Sequence, residues 1–182
     1  MKLQMDLQMK LQMKSLKYTM IFLRYNDKLL MLNRLKPPLM GLWTGVGGKI
    51  EPSESPLECA RREVLEETGL SMQNLIADLS FLGAVTWSSE AGEGGMYLFL
   101  GELIALTDDK PWAFDEGILD WKPIAWVLDP QNQGIPAHVK HFLPSVLAGE
   151  VLLHQCEFQN NTLMGYETCS LVDNFDADAV YE

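Results

Sequence analysis

The chain is poor in cysteine, poor in basic residues and free of long apolar runs, and each scarcity removes a class of function. Cys59, Cys156 and Cys169 are its only 3 cysteines. They are irregularly spaced and form no Cys-x-x-Cys pair, so they suggest neither a zinc site nor a disulfide framework. Reduced thiols in a cytoplasmic protein are the expectation, with Cys156 and Cys169 as a pair that a late hairpin would bring face to face. Lysine and arginine number 14 against 25 acids, a net charge of −11. That excludes non-specific binding to a nucleic acid polymer, which needs a basic face. No stretch approaches the ~20 apolar residues of a membrane-spanning helix. So acidic a chain also repels small anions, unless metal ions reverse the local field. What remains, 182 residues with 47% hydrophobic and 21% charged, suits one soluble domain with a sizeable core.

Three divisions are expected. Residues 1–15 form a low-complexity start, K-L-Q-M, D-L-Q-M, K-L-Q-M. It has no apolar h-region or cleavage site, so it is not a secretory signal. Its Leu and Met spacing fits a short amphipathic helix or a strand equally well. An accessory or loosely ordered extension is expected, with a partner-binding helix as the sharper alternative. Residues 16–172 carry the folded domain, and 173–182 an acidic tail.

Within the domain, Leu16–Leu23 and Lys28–Asn33 read as strands around an Asn26-Asp27 turn. Lys36-Pro37-Pro38 breaks regular structure, and Leu39–Trp43 leads into a short strand, Thr44–Lys49. Leu75–Trp87 and Met96–Leu106 read as a hairpin around a glycine-rich loop at Ser88–Gly95. Trp112–Gly117 is expected as a loop holding Asp115 and Glu116. It precedes a strand at Ile118–Trp121 and a helical turn at Pro123–Leu128. A helix over Pro136–Ala148, interrupted near Pro144, should end at Gly149. Val151–Phe158 and Leu163–Leu171 then close the domain as a hairpin around Asn160-Asn161. Strands on both sides of a central helix, with a later helix, indicate an α/β sandwich with a mixed sheet.

The segment Gly48–Leu70 organises the rest. Ser55 is placed as an N-cap, Pro56 as the first helical residue, Glu58 as the reciprocal partner of a capping box and Gly69 as the C-terminal cap. At ~100° per residue, Glu63, Glu66 and Glu67 fall on one arc, beside an apolar stripe of Leu57, Ala60 and Val64. Three carboxylates on one side of a helix repel one another. Something cationic belongs among them, and oxygen-only ligands suit a hard ion such as magnesium or manganese. Arg34, Lys36 and Lys49 are candidates for phosphate contact, Arg34 foremost because its planar fork matches phosphate.

The pattern Gly48, five residues, Glu54, seven residues, Arg62-Glu63-Val64-x-Glu66-Glu67-x-Gly69-Leu70 resembles the Nudix box at every defined position. The resemblance implies an α/β/α sandwich and hydrolysis of a nucleoside diphosphate linkage. It also implies Mg²⁺, or Mn²⁺ in its place, held by Glu63, Glu66, Glu67 and the carbonyl of Gly47 or Gly48. Arg62 would pair with Glu54 or Glu63 and fix the carboxylates, Glu63 is a candidate general base, and Glu116 is chosen as a carboxylate from outside the box. L-L-M-L-N-R, W-T-G-V-G-G-K and C-E-F-Q-N-N-T-L-M-G-Y resemble the MutT-type 8-oxo-dGTP diphosphatases. These release a nucleoside monophosphate and pyrophosphate. Arg34, Trp43, Thr44, Lys49 and Trp121 are the candidate substrate contacts. Phe81, Trp87 and Trp126 offer further surface for stacking or for the core. Two positions depart from the pattern: Thr44 stands where the animal members have Asn, and Gly134-Ile135-Pro136-Ala137 lacks the acids of their Trp-Pro-Asp-Asp stretch. The expected partner is a small nucleotide, with the protein a monomer or homodimer. Alternatives are ADP-ribose or dihydroneopterin triphosphate as substrate, or a Nudix-fold sensor that binds without turnover.

Overall fold

A computed structural model describes residues 16–106 and 108–171. The K-L-Q-M start and the acidic tail lie outside the described residues. The elements are β1 (Tyr18–Tyr25), β2 (Lys28–Arg34), β3 (Trp43–Thr44), α1 (Pro56–Thr68), β4 (Ser80–Ser89), β5 (Gly92–Glu102), β6 (Trp112–Phe114), β7 (Gly117–Pro123), α2 (Ile124–Val127), α3 (Ala137–Leu147), β8 (Leu152–Gln159) and β9 (Thr162–Ser170). The strands join in one sheet of order β6-β7-β2-β1-β5-β4-β8-β9, with β3 attached to β2. The sheet is mixed: β1 runs parallel to β5 and β4 to β8, while β1–β2 and β4–β5 are antiparallel.

The central strands are apolar without a break because both of their faces are covered. Side chains alternate along a strand. Ile21 and Leu23 of β1, Leu30 and Leu32 of β2, and Tyr97 and Phe99 of β5 therefore pack with Ala60 and Val64 of α1. Their neighbours Met20, Phe22, Leu29, Met31, Leu98 and Leu100 pack with Val139, Phe142, Leu143 and Val146 of α3. The result is the expected α/β/α sandwich.

Helix α1 has the caps its sequence implies. Glu58 N–H donates to Ser55 Oγ at 3.2 Å and Ser55 N–H to Glu58 Oε2 at 2.8 Å. Gly69 closes the other end at φ 72°, its N–H donating to Leu65 O at 2.9 Å. Ala60 and Val64 are fully buried and Leu57 packs against the same cluster.

Several expectations are corrected. Ser88–Gly95 is not a loop: β4 and β5 run on through it and turn only at Glu90-Ala91, with Trp87 paired to Gly94 and Ser89 to Gly92. Trp112–Phe114 is a strand, β6, so the turn to β7 shrinks to Asp115-Glu116. The strand predicted from Leu75 begins at Ser80, after a 3-10 turn over Met72–Asn74. Helix α3 continues through Pro144, held by four buried apolar side chains, so burial there outweighs the missing backbone donor. The last hairpin turns at Asn160-Asn161, both at positive φ. Its register sets Cys156 opposite Tyr166 and Cys169 opposite Leu153, so the two cysteines do not face each other. All three cysteines are free thiols.

One irregularity positions the site. β1 and β2 pair only from Leu23–Leu30 to Tyr25–Lys28. Below that they part, and the segment from Thr44 to Lys49 enters the gap. Thr44 pairs with Leu32 on one side, and Val46 with Ile21 and Lys49 with Tyr18 on the other.

Candidate active site

The inserted segment passes directly under α1, and the approach leaves no room for a side chain. A Cβ at Gly48 would lie 2.2 Å from Glu63 Oε1, and one at Gly47 would lie 2.3 Å from Thr19 O. Gly47 is also at φ 137°, a region that side-chain-bearing residues avoid. Glycine here brings the backbone against the carboxylates. Gly47 N–H donates to Glu67 Oε2 at 3.0 Å. The Gly48 carbonyl accepts from Thr19 N–H at 2.9 Å.

Arg62 organises the acids from the side. Its Nε and Nη2 make a fork to Glu54, at 2.8 Å to Oε1 and 2.9 Å to Oε2. Nη1 donates to Glu63 Oε1 at 2.8 Å and to Glu66 Oε2 at 3.2 Å, and Nη2 also reaches Lys49 O at 3.2 Å. This guanidinium holds Glu54 below the ordinary carboxylate range and is itself pushed up by the acids. Both partners weighed for Arg62, Glu54 and Glu63, are engaged at once.

The three box acids are unequal. Glu66 is 59% exposed and Glu63 12%. Glu67 is buried, and burial, helped by the charges of Glu63 and Glu116, pushes its carboxyl up to about 7. The Gly47 N–H and the charge of Arg34 only partly counter that rise. Glu63 is raised as well, chiefly by burial. Among the described residues no three acids are drawn together as a ready-made cation cage: Arg62 holds Glu63 and Glu66 while Glu67 turns to Gly47. The donor set still fits a hard divalent ion. It is made of oxygens, it borders open space, and among the described residues no cation is hydrogen-bonded to the buried Glu67 carboxylate.

That open space is a groove of about 700 Å³ bounded by Glu63, Glu66 and Glu67 on one side. Arg34, Thr44, Gly47, Gly48, Lys49 and Glu116 also line it, so most of the sequence-derived site residues meet there. Arg34 Nε is buried, and among the described residues it has no hydrogen-bond partner. Glu116 is paired with Lys36 Nζ at 2.7 Å. Arg62, Glu54 and Gly69 support the wall rather than line it.

Two substrate-contact candidates are placed elsewhere. Trp121 is buried in the core under α1, and Trp43 packs edge-on against Trp126 at 6.2 Å with Lys122 Nζ 4.4 Å over its ring. Phe81 also belongs to the core. Tyr18, Met20, Pro37, Pro38, Leu39, Met96 and Phe114 line the groove without having been singled out as site residues. The methionines and Tyr18 alternate like core residues, so only the parting of β1 and β2 identifies them.

Comparison with known proteins agrees with this geometry. The NUDIX domain model matches residues 15–142. The uncharacterised Nudix hydrolase YvcI of Bacillus subtilis is 30% identical over 137 residues, 72% of this chain and 79% of that protein. The oxidized purine nucleoside triphosphate hydrolase of Mus musculus is 33% identical over 66 residues, 35% of this chain and 42% of that protein. The crystal structure of the MutT protein of Bacillus halodurans superimposes with a TM-score of 0.65 at 25% identity, covering 83% of this chain and 95% of that one. With the box acids, their glycine floor and the groove in place, the chain belongs to the Nudix hydrolase family.

Proposed function

We propose that the groove hydrolyses a purine nucleoside triphosphate, including an oxidised purine of the 8-oxo-dGTP type, to the monophosphate and pyrophosphate. The observation that carries the reading is the meeting of a buried, under-neutralised carboxylate, Glu67, with the charge of Arg34 on one groove. The partial likeness to the mouse hydrolase supports the choice of substrate.

Glu63, Glu66, Glu67 and the carbonyl of Gly47 or Gly48 would hold Mg²⁺, or Mn²⁺ in its place. When bound, the ion supplies neutralisation of the phosphate charge and polarisation of the phosphate oxygens. Arg34 and Lys49, which line the same groove, bind the phosphates. Arg62 keeps Glu63 and Glu66 oriented through its hydrogen bonds. An attacking water gives its proton to the Glu63 carboxylate as the anhydride P–O bond breaks and pyrophosphate leaves. Glu63 suits this task because burial raises its proton affinity. Glu116, at the groove edge, completes the acidic wall once Lys36 releases it.

Product analysis with nucleoside triphosphates and ADP-ribose in magnesium tests the reading. Monophosphate and pyrophosphate are the expected products, and Glu66→Gln should lower kcat about 10²–10³-fold. Turnover of ADP-ribose alone would overturn the substrate. Unchanged turnover in Glu66→Gln would overturn the metal assignment, and binding without turnover would make the protein a sensor.

A further inference from the structure

The groove bends around the start of β1 onto the other face of the sheet. Met20, Met96 and Trp87 form its wall there and belong to the α3 side, whereas the box acids stand on α1. Trp87 is seated by its cross-strand partner. A Cβ at Gly94 would lie 2.5 Å from Cζ2 and 2.6 Å from Cε2 of the indole, so the ring rests on bare backbone. The indole is only half-buried and also borders a neighbouring cavity of about 520 Å³.

Two of the hydroxyls that line the groove are already engaged. Thr44 Oγ1 donates to Gly45 O at 3.0 Å, and Thr19 Oγ1 shares a 3.4 Å hydrogen bond with Cys59 Sγ. A ring entering here therefore meets an indole and two thioethers with its face, and few free donors or acceptors with its edge.

We propose that Trp87, seated by Gly94, binds the non-phosphate end of the substrate as an aromatic ring by stacking. The site then separates ring-bearing from ring-free phosphoanhydrides strongly, and one nucleobase from another weakly. Purines exceed pyrimidines only through their larger face, and oxidised and unoxidised purines are treated alike. This rests on reading the groove as a nucleotide pyrophosphohydrolase site. Sites that discriminate strongly between analogues do so by leaving buried hydrogen-bonding groups unpaired in the wrong complex, and this end of the groove holds few such groups.

Steady-state kinetics with dGTP, 8-oxo-dGTP, dATP, dCTP and inorganic triphosphate, in wild type, Trp87→Ala, Trp87→Phe and Gly94→Ala, test it. The nucleotides should agree in kcat/KM within about tenfold, with inorganic triphosphate about 100-fold lower. Trp87→Ala should raise KM about 10- to 100-fold with kcat little changed. Trp87→Phe should restore most of the affinity, and Gly94→Ala should weaken binding by displacing the ring. Nucleotide quenching of tryptophan fluorescence, present in wild type and lost in Trp87→Phe, reads the contact without turnover. A spread beyond about 10³-fold among bases, or an unchanged KM in whichever of Trp87→Ala and Gly94→Ala folds, would overturn the proposal. Wild-type quenching with no anhydride hydrolysed would instead overturn the reading of the groove as catalytic and leave the stacking contact standing.

Discussion

The two long helices cover opposite faces of one sheet, yet different forces hold them. α1 has a capping box, a proline at its first position, a glycine at its end and Arg62 hydrogen-bonded to three glutamates. α3 has no side-chain cap and a proline inside, but buries Val139, Phe142, Leu143 and Val146 completely. The helix that must present acids to a groove cannot rely on burial alone, so local hydrogen bonds fix it. The helix that only covers the sheet relies on packing. Position is thus specified finely where chemistry needs it and loosely where it does not.

Truncation should expose this difference first. Phe142→Ala is expected to cost about 3–5 kcal/mol in chemical denaturation, with kcat per folded molecule nearly unchanged. A large activity loss in the folded variant would show that the two layers are coupled.

Acid should act on the two sides with opposite sign. Burial pushes His138 and His154 down to about 4, so both resist protonation in the folded state. Their contribution is intact above the unfolded value near 6.5 and is lost as the pH falls to 4, up to ~3 kcal/mol each. Glu67, raised to about 7, contributes in the other sense. Its protonated form is favoured in the fold, a gain present below its ordinary value of 4.5 and lost as the pH rises through 7. Melting curves of metal-free protein between pH 7 and 4 should therefore fall less steeply in wild type than in Glu67→Gln. Equal slopes would remove Glu67 from this account.

A single added methyl probes the α1 side alone. Gly48→Ala forces the Glu63 carboxylate aside, and about a 100-fold loss of kcat is expected, with a small change in melting temperature. The smallest effect is at the cap: Ser55→Ala should cost about 1 kcal/mol, and activity should follow only if the helix shifts.

The same contrast explains how much was legible in the sequence. α1, its caps and its acids could be read because each depends on neighbours a few residues away. The hairpin at Asn160-Asn161 was legible for the same reason. At the groove's far end only Trp87 was legible, as a surface for stacking or for the core; Met20 and Met96 were not, since the three come from three strands and meet only through the sheet register. Trp43 and Trp121 could not be placed from the sequence because an aromatic near a motif looks the same whether it binds or packs, and here Lys122 and the core hold them. Ser88–Gly95 looked like a loop because its glycines, which make room for Trp87 and Leu16, carry no strand propensity of their own.

The insertion of Thr44–Lys49 between β1 and β2 has a kinetic consequence. Ile21 and Val46 exchange both of their backbone hydrogen bonds, Thr19 N–H holds Gly48, and Trp43 N–H holds Gly134. The floor of the groove is therefore part of the sheet, and it is expected to open as slowly as the sheet itself. A ligand meets a surface that is already formed, so association need not wait for this floor to order. Amide exchange at Ile21 and Val46 should then be among the slowest in the protein, and nucleotide should change it little.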